Sequence, residues 1–249
     1  KERVQFDHPI SHFQAIQFML AEMAIMIYNM ESIVYRTAVD YDLHKDISRQ
    51  SAIVKFYCSE SLDKIVDFAV VNNYKGLEIR GIQRELDLVK CAAFNSTENI
   101  QATVKLMKEK GLQFVDLGSS AAMHHSDLTE RQKNLDEAKR FIDLAQKIHC
   151  PFVRVFPNNL PKDKDRNATI DLIVKGLLEL GNHAKGSGVT VLMESHGELV
   201  YIADLQNIMQ AAEHKNVGMI WDIVNMWSVT KEPPADVYAK LKKYIHHTH

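Results

Sequence analysis

At 249 residues, the chain is long enough for one large domain or two small ones. Hydrophobic residues make up 46% and charged residues 25%, ordinary for a soluble globular protein. The formal net charge of -2 gives no electrostatic reason to expect a nucleic acid or an anionic membrane surface as partner. No apolar run approaches the roughly 18 residues that a membrane span needs. Lys1-Glu2-Arg3-Val4-Gln5-Phe6 has no apolar signal region and no initiator Met, which suggests a fragment or a processed chain. Cys58, Cys91 and Cys150 are far apart, form no CxxC pair and fit free thiols in a reducing compartment, so a cytoplasmic location is expected.

Residues 1 to about 72 read as helix. Gly is absent before Gly76, and Pro9 precedes the first helix. Ser11 is a candidate N-cap for a long helix from His12 to about Asp42, with Phe13, Ile16, Leu20, Met23, Ile27, Met30, Val34 and Ala38 on one face. A second helix is expected from near Asp46, through Ile47, Ser51, Val54, Cys58, Leu62, Ile65 and Phe68. Two such helices form a hairpin whose apolar face wants a further partner.

From about Val71 the pattern changes to alternating strand and helix. Strands are expected at Gly76–Arg80, Gly111–Leu117, Phe152–Phe156, Val189–His196, Val217–Asp222 and Tyr244–His249. Helices are expected near Thr97–Lys110, Thr129–Ile148, Asn167–Lys185, Ala203–Glu213 and Ala235–Leu241. Short continuous apolar strands suit a parallel sheet covered on both faces. Repeating units of this kind give a (β/α)8 barrel or a doubly wound open sheet. No GxGxxG or GxxxxGK[ST] follows any strand, and polar residues end many different strands, so the barrel is favoured.

Glu194, Asp222 with Asn225 three residues on, and the terminal histidines sit at strand ends that share one face in a parallel barrel, where they could converge on one ion. His196 lies on the same side of an extended segment as Glu194 and could contact substrate hydroxyls. Arg154 and Glu78 could bind substrate or each other as an ion pair. His247 and His249 share one face. His124 and His125 are adjacent and point apart, which argues against a shared metal. Trp221 and Trp227 read as core or pocket wall.

Gly76-Leu77-Glu78-Ile79-Arg80, Arg154-Val155-Phe156-Pro157, Met193-Glu194-Ser195-His196-Gly197, Trp221-Asp222-Ile223-Val224-Asn225 and His247-Thr248-His249 together resemble the xylose isomerase-like barrel family of sugar and sugar-phosphate isomerases and epimerases. The resemblance covers about residues 71–249. It implies an incomplete (β/α)8 TIM-barrel-like α/β domain, short of its last strand and preceded by the helical hairpin. It also implies a divalent metal ion (Mn, Mg, Co or Zn) held by Glu194, Asp222 and His249, with no counterpart here for the family's fourth ligand, a Glu. Glu194 is then the catalytic carboxylate, and His196, Arg154, Asn225 and Glu78 bind a small sugar or sugar phosphate. The same resemblance leaves both an active site and one inactive through truncation open.

Residues 1–70 resemble the C-terminal helical domain of acyl-CoA dehydrogenases, on Glu2-Arg3-Val4-Gln5-Phe6, Pro9-Ile10-Ser11, Phe13-Gln14-Ala15-Ile16-Gln17 and Tyr35-Arg36. Asp7 stands where a Gly is usual. The resemblance implies FAD contacts at Arg3, Gln5, Phe6 and Gln14. No bound FAD is expected, because the rest of that enzyme is absent from the sequence. Two alternatives to an isomerase remain open: a flavin-dependent acyl-CoA dehydrogenase fragment, and a non-catalytic hybrid that self-associates through the hairpin.

Overall fold

The structure, a computed structural model, describes residues 4–5, 8–9, 14–54, 57, 74–82, 85–161 and 165–249. The chain divides into two compact units, 1–75 and 76–249.

In the first unit, β1 (Val4–Gln5) pairs antiparallel with β2 (His8–Pro9), and α1 (Gln14–Asp42) follows. The strand pair was not expected, since this stretch reads as the approach to a helix. The turn after α1 is tied by the Lys45–Asp40 ion pair at 2.7 Å. Asp46 then accepts hydrogen bonds from the Ser48 backbone N–H and hydroxyl, and α2 (48–54) begins. Asn29 Nδ2 donates to the Tyr57 hydroxyl at 3.2 Å, so the two helices run back along each other as a hairpin. The expected N-cap Ser11, the apolar Phe13 and the continuation through Cys58, Leu62, Ile65 and Phe68 lie outside the described residues.

The second unit holds six parallel strands in sequential order: β3 (Gly76–Ile79), β4 (Gln113–Ala122), β5 (Phe152–Phe156), β6 (Thr190–Glu194), β7 (Val217–Trp221) and β8 (Ile245–Thr248). The crossovers carry α3 (Thr97–Glu109), α4 (Leu128–Lys147), α5 (Arg166–His183), α6 (Ile202–Ala211), then α7 (Ile223–Thr230) with α8 (Pro234–Leu241). Side-chain caps start four of these helices. Ser96, Asp127, Asp165 and Asp222 each accept from a backbone N–H in the first turn. Pro233 and Pro234 open α8.

Alternation along the strands sorts the two faces of the sheet. Val153, Val155, Val191, Met193 and Met219 are fully buried and belong to the core that α4, α5, α6 and α8 cover with Phe141, Ile142, Leu177, Leu180, Leu205, Ile208 and Leu241. Each such side chain is worth about 1.5–3 kcal/mol of apolar transfer. The opposite face carries Arg154, Leu192 and Glu194. Glycine makes room for them there: a Cβ on Gly118 would stand 2.7 Å from Arg154 Nη2. The sheet curls far enough that Glu78 on β3 and His249 after β8, at opposite ends of the strand order, meet at 2.7 Å. This is six strands of an incomplete barrel.

Candidate functional site

Polar side chains gather at the carboxyl ends of the strands. Arg154 on β5 donates from Nη1 to Glu194 Oε2 at 2.8 Å and from Nη2 to the Ser119 carbonyl at 3.3 Å. Both members of the ion pair are almost wholly buried, with side chains 7% and 6% exposed. The Phe156 ring centroid lies 4.0 Å from the guanidinium carbon. A pair so far from water gains little net stability, but losing one member leaves an uncompensated buried charge.

His249 joins this cluster to the first strand. Its Nδ1 lies 3.8 Å from Glu194 Oε2, and its Nε2 lies 2.7 Å from Glu78 Oε2. His247 Nε2 approaches the same Glu78 oxygen at 3.5 Å. The His249 backbone is fixed on both sides: its N–H donates to the Trp221 carbonyl, and its carbonyl accepts from the Ile223 N–H.

Asp116 on β4 is fully buried, and neither of its carboxylate oxygens has a hydrogen-bond partner. Burial, and then the Glu78 charge, push its carboxyl up to about 7. Arg80 lies nearby, donating to the Gly118 carbonyl and the Ser120 hydroxyl. Its guanidinium is held below the usual arginine range, first by burial and then by Arg154.

Asp222 caps α7, with Oδ1 accepting from the Asn225 N–H at 2.9 Å. Its own N–H donates to the Ser195 hydroxyl, and Asn225 Nδ2 donates to the Ser195 carbonyl at 3.4 Å. His196 places Nδ1 3.2 Å from Asn158 Oδ1, and its ring lies 4.6 Å from the Phe156 ring. The His124 and His125 rings lie close, 4.2 Å between centroids and tilted by 36°, and burial followed by the His125 charge lowers His124.

The residues singled out in the sequence therefore fall into three groups. Arg154, Glu194, His249 and Glu78 form one connected cluster. Asp222 and Asn225 are joined to each other and to Ser195, and His196 belongs with Asn158 and Phe156. Arg154 pairs with Glu194 rather than with Glu78. Strands β5 and β6 are neighbours, with Arg154 opposite Leu192, whereas β3 is two strands from β5. Arg3 and Phe6 lie outside the described residues, and for Gln5 and Gln14 only the backbone is described, in β1 and at the start of α1. Sequence reasoning passed over Asp116 and ranked His247 below His249.

The donor set suits a divalent cation. Glu78, Asp116, Glu137 and Glu194 stand against Arg80 and Arg154, a formal charge of -2 with the histidines neutral and Asp116 ionised. Oxygen and imidazole donors at one mouth, with two buried oxygens lacking a protein partner, are chemistry that such an ion satisfies. A cavity of about 200 Å³ lies away from this cluster, where His214, Lys243, Tyr244 and His246 surround the starts of β7 and β8.

The profile of the acyl-CoA dehydrogenase C-terminal domain matches residues 1–71. There the chain is 38% identical over 69 residues to a probable acyl-CoA dehydrogenase, YdiO, of Escherichia coli K12, covering 28% of this chain and 18% of that one. The chain resembles D-psicose 3-epimerase of Clostridium cellulolyticum H10, solved with D-tagatose (TM-score 0.62, 15% identity, 74% of this chain and 65% of that one). It also resembles a xylose isomerase-like TIM barrel protein of Mycobacterium smegmatis solved in complex with magnesium (TM-score 0.59, 20% identity, 78% and 66%). The chain thus spans under a fifth of the length of that curated relative and about two thirds of these solved structures. The profile described as xylose isomerase-like TIM barrel matches residues 66–249, most of the chain, and the protein belongs to that family.

Proposed function

We propose that the barrel unit is a divalent-metal-dependent isomerase or epimerase of a small sugar or sugar phosphate. The observation that carries this reading is the buried Arg154–Glu194 pair at the strand ends, with His249 Nδ1 3.8 Å from the shared oxygen. Isomerisation and epimerisation both require a proton to leave a carbon beside a carbonyl, and a positioned carboxylate can take it. Arg154 holds Glu194 Oε2 and so fixes the direction of the carboxylate. Oε1 is then the acceptor for the substrate proton. Delivery of a proton to the same carbon from its other face, by a second acid, gives an epimer, and return of the Glu194 proton to the former carbonyl carbon gives the aldose–ketose isomer.

Glu194, Asp222 and His249 are the ligand positions that the family implies, and a bound Mn²⁺, Mg²⁺, Co²⁺ or Zn²⁺ would polarise the substrate oxygens. Asp222 and Asn225 are held in place through Ser195. His196, oriented by Asn158, and Phe156 offer a ring edge and an apolar wall to a sugar. The magnesium complex and the epimerase among the related structures support this reading.

The test is solvent-isotope exchange. Wild-type protein is incubated in D₂O with each of the four metals and a panel of ketohexoses, pentoses and their phosphates, and followed by proton NMR. Deuterium entering beside the carbonyl, and lost in Glu194→Gln, is the expected result. Absence of exchange by wild type with every sugar and every metal would defeat the proposal.

A further inference from the structure

We infer a divalent-cation site formed by Glu78, His247 and His249, on the Nε2 side of His249 and bridging β3 and β8. The ligand atoms of these side chains all lie within 4.8 Å of one another, and no other three His, Cys, Asp or Glu side chains among the described residues do so. Both Nε2 atoms already face one Glu78 oxygen, at 2.7 and 3.5 Å. Ligands about 2.0–2.2 Å from a tetrahedral ion stand about 3.4 Å apart, so an ion needs only small side-chain shifts to enter. The three side chains are 25–29% exposed, which gives the ion a route from solvent.

The sequence explains the convergence. His247 and His249 are two residues apart on one extended segment and so share a face. The curl of the sheet brings β3 opposite them. Two imidazoles and one carboxylate suit a first-row cation such as Zn²⁺ or Co²⁺, and leave coordination positions open. An ion here would tie the first strand of the sheet to the last. It also has a consequence for the proposed activity. A neutral imidazole has a single lone pair. A cation on Nε2 leaves the proton on Nδ1, facing Glu194, so His249 cannot ligate an ion on the Glu194 side at the same time. The inference rests on the reading of the strand ends as a divalent-ion site, but it assigns a different set of ligands.

The test is titration of metal-free protein with Zn²⁺ and Co²⁺ by calorimetry, with the Co²⁺ visible spectrum recorded alongside. Wild type should bind one ion per chain. Glu78→Gln and His247→Gln should each weaken binding by more than about 100-fold, beyond what loss of an outer partner costs, while Asp222→Asn should change it by less than about threefold. Asn still caps a helix, so Asp222→Asn keeps α7 intact. Zn²⁺ should raise the urea midpoint of wild type and not that of His247→Gln, and circular dichroism of each variant establishes that it is folded. If Glu78→Gln does not fold, His247→Gln carries the comparison. Failure of wild type to bind either ion overturns the site. So does a loss in Asp222→Asn as large as that in His247→Gln, which would put the ion on the Glu194 side and leave the proposed activity standing. A failed isotope exchange with this binding pattern intact removes the activity and not the site.

Discussion

Replacing Asp116 with Asn should reveal how strongly the barrel interior resists a charge there. Asp116 is fully buried, both its oxygens lack partners, and its carboxyl is pushed up to about 7 from 3.8. A carboxyl raised on folding binds its proton more tightly in the native state than in the unfolded chain. Its favourable contribution is complete below about pH 3.8 and is lost as pH climbs to about 7. At about 1.4 kcal/mol per pH unit, that interval corresponds to about 4 kcal/mol. Asn has the same shape and no charge to bury. Asp116→Asn should therefore gain on wild type by about 4 kcal/mol between pH 4 and pH 8. The assay is urea unfolding at a series of pH values, with chelator present. Tryptophan fluorescence reports this unit specifically, because both tryptophans, Trp221 and Trp227, lie in it. With a slope of about 2 kcal/mol per molar urea, the midpoint difference should widen by about 2 M across that range. A difference that stays constant from pH 4 to pH 8 would refute the reasoning, whatever its sign.

Other predictions follow from neighbouring contacts. Arg154→Met should destabilise the barrel unit by about 3–5 kcal/mol, because Glu194 is left charged and buried, and Glu194→Gln in the same background should recover part of that loss in urea unfolding. Asp222→Ala should cost about 1 kcal/mol through loss of the α7 cap, and Asp222→Asn a few tenths, by thermal unfolding. Burial pushes the Cys150 thiol up to about 12 and raises Cys91, so both should resist a thiol reagent at pH 8 until urea unfolds the chain. Rapid labelling of Cys150 in the native protein, read by mass spectrometry of its peptide, would contradict its burial.

Legibility in the sequence followed the strength of the local signal. The strand–helix alternation was readable because β7 is a continuous apolar run, β6 holds one from Val191 to Met193 and β5 is broken only by Arg154, and α4 and α5 begin at Asp127 and Asp165 with ordinary caps. Helix α7 was not readable. Ile223-Val224-Asn225-Met226-Trp227 is rich in β-branched and aromatic residues, which speak weakly for helix, and only the Asp222 cap marks its start. Strand β4 runs on to Ala122, past the expected end at Leu117, through Gly118, Ser119 and Ser120, residues with little strand preference. What holds that stretch is tertiary: Ser119 Oγ donates to the Arg154 carbonyl, and the N–H groups of Ser120 and Ala122 donate to Glu137 and Asn134 on α4.

The candidate site divides along the same line. Glu194 and His249 could be picked out because they end strands, and a strand end in a parallel barrel is a defined place. Asp116 sits inside an apolar run, where the pattern shows that a carboxylate is buried but not what surrounds it. That depends on β3 and β5, its neighbours on either side, and on the curl that brings Glu78 and His249 together. The same curl decides the partners of Glu78. A pattern of residues along one strand cannot show which distant strand faces it across the barrel mouth, and β3 and β8 are not paired neighbours in the sheet. Their side chains meet only because the four strands between them twist the sheet toward closure. The link between sequence and chemistry is thus most indirect at Glu78, His247 and His249, where the contact joins opposite ends of the sheet. A bound ion there would report directly on whether that curl persists in solution.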